Sequence, residues 1–127
     1  MKYTGSCHCQ RVQYECDFHL QQPTVCNCSH CFKRNAILHI VDSIEIKTGK
    51  EELTRYTFNK MKGAHYFCKH CGVRAFGVGN DTPMGKMVGV NIGCLDGLTE
   101  KELSQLHITY VDGMNDKFES PEFCSHL

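Results

Sequence analysis

A small β-rich domain, with one short helix at most, is the fold class this sequence predicts, and three observations predict it. Short segments alternate apolar and polar residues with a period of two along most of the chain. Only one stretch carries the cap and spacing of a helix. Seven of the ten cysteines fall in three tight clusters: Cys7 and Cys9 in CHC, Cys26, Cys28 and Cys31 in CNCSHC, and Cys68 and Cys71 in CKHC. Such spacings suit metal coordination better than disulfides, because a C-x-C pair cannot close an unstrained bridge on itself.

The elements follow in order. Residues 10–18, QRVQYECDF, place Val12, Tyr14 and Cys16 on one face, a half-buried strand with Cys16 as a core residue. Gln21, Gln22 and Pro23 end it, and the CNCSHC cluster follows as a loop. Residues 36–41 are an apolar run too brief for a helix. Ile44 and Ile46 alternate before the turn signal Thr48-Gly49-Lys50. Residues 53–58 form a strand rich in β-branched and aromatic residues. Tyr66 and Phe67 lead into the CKHC knuckle. Residues 74–78 and 87–92 are strands, with a loop over 79–83. Residues 99–106 are the helix, with Thr99 as N-cap and Glu102 three positions on. Residues 107–111 return to strand character. With 127 residues and neither a repeat nor a linker, residues 1–127 read as a single domain.

Composition narrows the function classes. Fourteen basic residues balance fourteen acidic ones, so bulk charge supports neither nucleic-acid nor acidic-membrane binding. The basic run at Lys60 and Lys62, with Lys69 and Arg74 nearby in sequence, is too thin to carry such a claim. No apolar run approaches the roughly 18–20 residues of a membrane span. The opening MKYTGSCHCQ has no apolar core of a secretory leader, which points to a reduced, cytoplasmic protein. Tryptophan is absent and aromatic residues make up 9% of the chain, so the core is modest and metal staples would add folding energy.

Seven thiols divide as one closed set of four and one set of three. Counting alone does not fix the pairing, but CHC and CKHC can each donate two thiolates and so tie the N-terminal strand to the middle of the chain. CNCSHC would then hold a second ion with three thiolates. Its fourth position is open to water, a substrate thiol or a protein group, for which His8, His30, His39, His65, His70 and Cys94 are the candidates. Three alternatives compete for this cluster: a metal-free redox group, a zinc knuckle without chemistry, and an iron–sulfur site, although its spacing matches no ferredoxin pattern.

With these residues in view, the chain resembles the glutathione-dependent formaldehyde-activating enzyme family, which shares its domain with centromere protein V. The resemblance is carried by G-S-C-H-C-x-x-V-x-Y at 5–14, C-N-C-S-H-C at 26–31, Y-T-F-N at 56–59, F-C-K-H-C-G-V at 67–73 and N-I-G-C-L-D-G at 91–97. Gln10 stands where the family commonly has glycine, and Phe32 where it commonly has a basic residue. The resemblance implies a zinc-clamped β-tent of the Mss4-like type. It also implies a structural zinc on Cys7, Cys9, Cys68 and Cys71 and a second, labile zinc on Cys26, Cys28 and Cys31, two Zn²⁺ per chain.

The implied activity is that of a carbon–sulfur lyase. A thiol such as glutathione and an aldehyde such as formaldehyde combine into S-(hydroxymethyl)glutathione, with Cys26, Cys28 and Cys31 as the catalytic site. The reaction needs a general acid, for which His30 and His65 are candidates that spacing does not single out. Lys33, Arg34 and Lys62 could meet the glutathione carboxylates, with plain surface solvation the competing reading for at least two of the three. The competing expectation is a non-catalytic zinc-stabilised binding module, supported by the likeness of residues 26–76 to the centromere-protein-V branch.

Overall fold

In the computed structural model, which describes residues 1–58, 63–82 and 85–127, two antiparallel-dominated sheets lean on one core. The smaller sheet has the order β1 (Lys2–Ser6), β2 (Gln13–Asp17), β5 (Glu45–Thr48). The larger runs β10 (Thr109–Val111), β3 (Thr24–Cys26), β4 (Leu38–Val41), β9 (Gly85–Asn91), β8 (Arg74–Thr82), β7 (Gly63–Cys68), β6 (Leu53–Tyr56). Every pairing given for the strands is antiparallel except that of β10 with β3.

The alternation read from residues 10–18 is what builds the core. Val12, Tyr14 and Cys16 are all buried, while Gln13 and Asp17 face solvent. From the large sheet, Ala75, Phe76, Val88 and Val90 meet them, and Tyr14 packs edge-on against Phe76 with ring centres 5.9 Å apart. The Tyr14 hydroxyl donates to the Ala75 carbonyl at 3.2 Å, so its buried polar end is satisfied. Cys7 and Cys68 belong to this same buried cluster.

The fold is β-rich as predicted, with two short α-helices among the described residues instead of one. The second, α2 (Glu100–Ser104), carries the expected capping box: the Thr99 hydroxyl accepts from the Glu102 backbone N–H, and the Glu102 carboxylate accepts from that of Thr99. The first, α1 (Ser29–Arg34), lies where the sequence predicts only a loop. Its N-cap is Cys28, whose sulfur accepts from the Cys31 N–H at 3.4 Å, and Asn35 ends it in the left-handed region at φ 55°. A cysteine cap is outside the usual Ser, Thr, Asp and Asn signals, so periodicity and composition could not show it.

Of the loop expected over 79–83, residues 79–82 are strand instead. β8 continues to Thr82, which pairs with Gly85, because the neighbouring strand β9 supplies hydrogen-bond partners to residues whose composition alone reads as turn. Lys60 and Lys62, and positions 59 and 83 of the segments read above, lie outside the described residues. Among the described residues no helix is long and apolar enough to cross a membrane.

Candidate metal and thiol site

Two loops of nearly identical construction bring Cys7, Cys9, Cys68 and Cys71 together. In the first, Cys7 N–H donates to the Val12 carbonyl at 3.0 Å and Gln10 N–H to the Cys7 carbonyl at 3.1 Å. In the second, Cys68 N–H donates to Val73 at 3.1 Å and Gly72 N–H to Cys68 at 2.8 Å. Each loop needs one left-handed residue after its last cysteine, supplied by Gly72 (φ 76°) and, at some strain, by Gln10 (φ 69°). Backbone N–H groups of Val12 and His70 donate to the sulfurs of Cys7 and Cys68, each at 3.4 Å.

The donor set fits zinc. Tetrahedral Zn–S bonds of about 2.3 Å place sulfurs about 3.8 Å apart. Cys7 Sγ to Cys9 Sγ and Cys9 Sγ to Cys68 Sγ are both 3.6 Å, and all four sulfurs lie within 4.8 Å of one another. None is in a disulfide. Burial pushes the Cys7 thiol up to about 11, whereas the Arg11 backbone N–H and then its side chain draw Cys9 down to about 6.

Cys26, Cys28 and Cys31 form the second cluster, with sulfurs within 4.8 Å of one another. Cys26 ends β3, Cys28 caps α1 and Cys31 lies in its first turn. A C-terminal turn that sequence reasoning missed holds this loop in place. Asp112 accepts from the side-chain amides of Asn27 and Asn115, each at 2.9 Å, and Asn27 accepts from the Met114 N–H at 2.9 Å. Gly113 lies so close that a Cβ there would fall 2.3 Å from Cys26 Sγ. Hydrogen bonds from Cys26 and then Cys31 draw the Cys28 thiol down to about 2, while Cys31 is pushed up by its two partners. Cys28 is thus the first of the three to ionise.

Around the cluster stand two arginines and four rings. Arg34 Nη2 donates to Cys31 Sγ at 3.2 Å, and its Nη1 lies 3.4 Å from Nδ1 of both His30 and His65. Arg74 Nε donates to the same His65 Nδ1 at 3.1 Å. The His30 and His65 rings are 4.0 Å apart and pack against Phe58 and Tyr56. An arginine can only donate, so Nδ1 of each imidazole accepts and the neutral ring carries its proton on Nε2. Burial, followed by repulsion from Arg74, pushes His65 down to about 3; burial also lowers His30.

The model of the family described as glutathione-dependent formaldehyde-activating enzyme matches residues 2–112. The chain belongs to this family. It is also similar to a protein of Rhodobacter sphaeroides solved by crystallography, with a TM-score of 0.71 and 28% sequence identity over 84% of this chain and 99% of that one.

For a member of this family, the seven cysteines fall into the four-and-three division read from the sequence, and each set could hold a metal ion. The candidates for a fourth ligand do not join the second set among the described residues. His39 is engaged with the Ile40 carbonyl and Gln21 N–H, and His70 with Glu52 at 2.6 Å. Cys94 donates to the Arg74 carbonyl from within the core, and His8 is exposed. His30 and His65 line the site but give Nδ1 to arginine. Arg34 is turned toward Cys31, not outward, so it is not a surface charge; Lys33 is exposed and Lys62 lies outside the described residues.

Proposed function

We propose that this chain is a zinc-dependent carbon–sulfur lyase acting on adducts of a small thiol and an aldehyde, of which glutathione and formaldehyde are the type. The observation that carries the reading is the three-thiol cluster, which has no fourth cysteine, histidine or carboxylate ligand among the described residues and is walled by imidazoles, rings and arginine. Cys7, Cys9, Cys68 and Cys71 are the structural zinc site. Cys26, Cys28 and Cys31 hold the second, labile zinc and are the catalytic site. A zinc ion on those three thiolates would supply a position where a substrate thiol gives up its proton at neutral pH.

In the forward direction a carbon–sulfur bond forms between the thiol sulfur and the aldehyde carbon, and the carbonyl oxygen ends as a hydroxyl. The proton lost from sulfur balances the one gained by oxygen. His30 and His65, neutral and protonated on Nε2, act as hydrogen-bond donors to the developing oxyanion. His65 serves in this way and not as a cationic acid, because its charged form is driven out by burial and Arg74. Tyr56 and Phe58 hold the imidazoles in place by stacking. Thiol-only metal sites persist in a reducing compartment, which supports a cytoplasmic place of action.

Exchange spectroscopy of formaldehyde–glutathione mixtures tests the reading. The protein should accelerate interconversion of adduct and free thiol, and Cys28→Ser should abolish the acceleration. Zinc near two ions per chain is expected by elemental analysis. No acceleration for any of a panel of thiols and aldehydes would overturn the proposal.

A further inference from the structure

Arg34 and Arg74 have no anionic partner of the ordinary kind among the described residues. Among the described residues no carboxylate pairs with either, and Arg34 Nε and Arg74 Nη1 are buried with no acceptor. Arg74 is only 8% exposed, and the two guanidiniums converge on one imidazole nitrogen, His65 Nδ1. The fold makes room for this arrangement. Gly77 sits under Arg74, where a Cβ would fall 2.0 Å from Nη2. Burying a cation without a counter-charge is strongly unfavourable, and two adjacent cations repel each other. Burial and Arg34 push Arg74 down to about 9, which still leaves it charged at neutral pH.

The negative charge these cations face is the cysteine cluster, since Arg34 touches Cys31 directly. Three thiolates around a divalent ion carry one net negative charge. Two guanidiniums carry two positive ones. The sum is one uncompensated positive charge, which an anionic fourth ligand cancels and a neutral one does not.

We propose that Arg34 and Arg74 determine the specificity of the three-cysteine site, as a paired counter-charge that makes it take an anionic sulfur ligand, a thiolate, in preference to water or an alcohol. Arg34 acts on the cluster itself. Arg74 is a positioning residue that acts through His65. The inference rests on the zinc reading given above and extends it to the chemistry of the ligand.

The test uses the full chain as purified, and 2-mercaptoethanol, a thiol with no carboxylate. Its binding is followed by isothermal titration calorimetry from about pH 6 to about pH 9, in buffers of two ionisation enthalpies to count released protons. Arg34→Gln and Arg74→Gln should each weaken binding about tenfold at neutral pH and move its pH midpoint up by about one unit, with zinc content unchanged. Arg74→Lys should restore the midpoint, which a purely structural role would not do. If Arg74→Gln does not fold, Arg34→Gln decides the question.

Zinc-loaded variants that bind 2-mercaptoethanol as the wild type does would overturn the inference. So would a loss confined to glutathione, which would make the arginines carboxylate receptors. A wild-type protein whose zinc content is the same as that of Cys28→Ser would overturn the zinc reading itself, and this inference with it.

Discussion

Gly113 offers the sharpest test of how the second cluster is held. A methyl group there would lie 2.3 Å from Cys26 Sγ and 3.2 Å from Cys28 Cβ. Ordinary contact begins near 3.4 Å, so the sulfur must retreat by about 1 Å, whereas metal–ligand distances tolerate roughly 0.2 Å. Gly113 is not among the glycines with positive φ, so Gly113→Ala tests the contact and not backbone strain. Cys26 has a single side-chain torsion to give, and using it takes the sulfur out of the cluster. Cys28 Cβ cannot yield as easily, because Cys28 also caps α1. Overpacking of this kind costs about 1–3 kcal/mol, less if Cys26 rotates away. We expect Gly113→Ala to keep its far-ultraviolet circular dichroism and one zinc per chain. Affinity for the second ion should fall at least 10–100-fold, the approximate loss seen when the surroundings of a metal ligand are disturbed. Competition with a chromophoric chelator measures this. A variant that holds its second ion as tightly as the wild type would refute the placement of Gly113 against Cys26.

Other expectations follow from the same geometry. Cys68→Ser should fail to fold or aggregate, because a structural zinc contributes roughly 10–16 kcal/mol, comparable to the whole stability of a small domain. Cys28→Ser should keep its fold while losing the labile ion, since a serine hydroxyl still caps α1 but is a poor zinc ligand; equal destabilisation of the two serine variants in thermal melts would contradict the division of roles. Thr99→Ala removes a capping box and should cost about 1 kcal/mol, visible as a lowered Tm with zinc content unchanged. His65 gives a pH dependence whose sign is fixed by its depressed pKa. The unfolded imidazole takes a proton near 6.5 and the folded one only near 3, so the unfolded state binds more protons below about pH 6.5. Stability from this group is full above that pH and is lost as pH falls toward 3. Melts of wild type and His65→Gln compared at mildly acid and neutral pH should show a shallower fall in the variant, and parallel curves would refute it.

Much of the fold was legible because it is written in local pattern. Val12, Tyr14 and Cys16 alternate in sequence and are buried in the structure. Thr99 and Glu102 stand three apart and form the cap that spacing implies. The four-and-three grouping of cysteines was legible for a similar reason, since each cluster closes within a few residues and only the joining of CHC to CKHC spans the chain. What escaped depends on chemistry without a sequence signature. Cys28 caps α1 with a thiol, so a helical turn read as loop. Gln10 adopts the left-handed conformation that Gly72 adopts in the matching loop, against its own preference.

The surroundings of the second cluster were hidden for a deeper reason. Asp112 and Gly113 lie more than eighty residues from Cys26 and Cys28, and only the parallel pairing of β10 with β3, with Val111 opposite Cys26, brings them together. Arg34 is read from the sequence as a candidate to meet a glutathione carboxylate, yet α1 turns it back onto Cys31, one helical turn earlier. Arg74 opens a strand that pairs with β7 and β9, so its neighbour His65 arrives from across the sheet and not from nearby sequence. Short spacing therefore shows which sulfurs could hold a metal ion. Of the groups that would set its charge and confine its ligands, Arg34 comes from the next helical turn, whereas Asp112, Gly113 and the Arg74–His65 pair are delivered by long-range strand pairing. Replacing those groups should change what the cluster binds while leaving intact the cysteine pattern by which it is recognised.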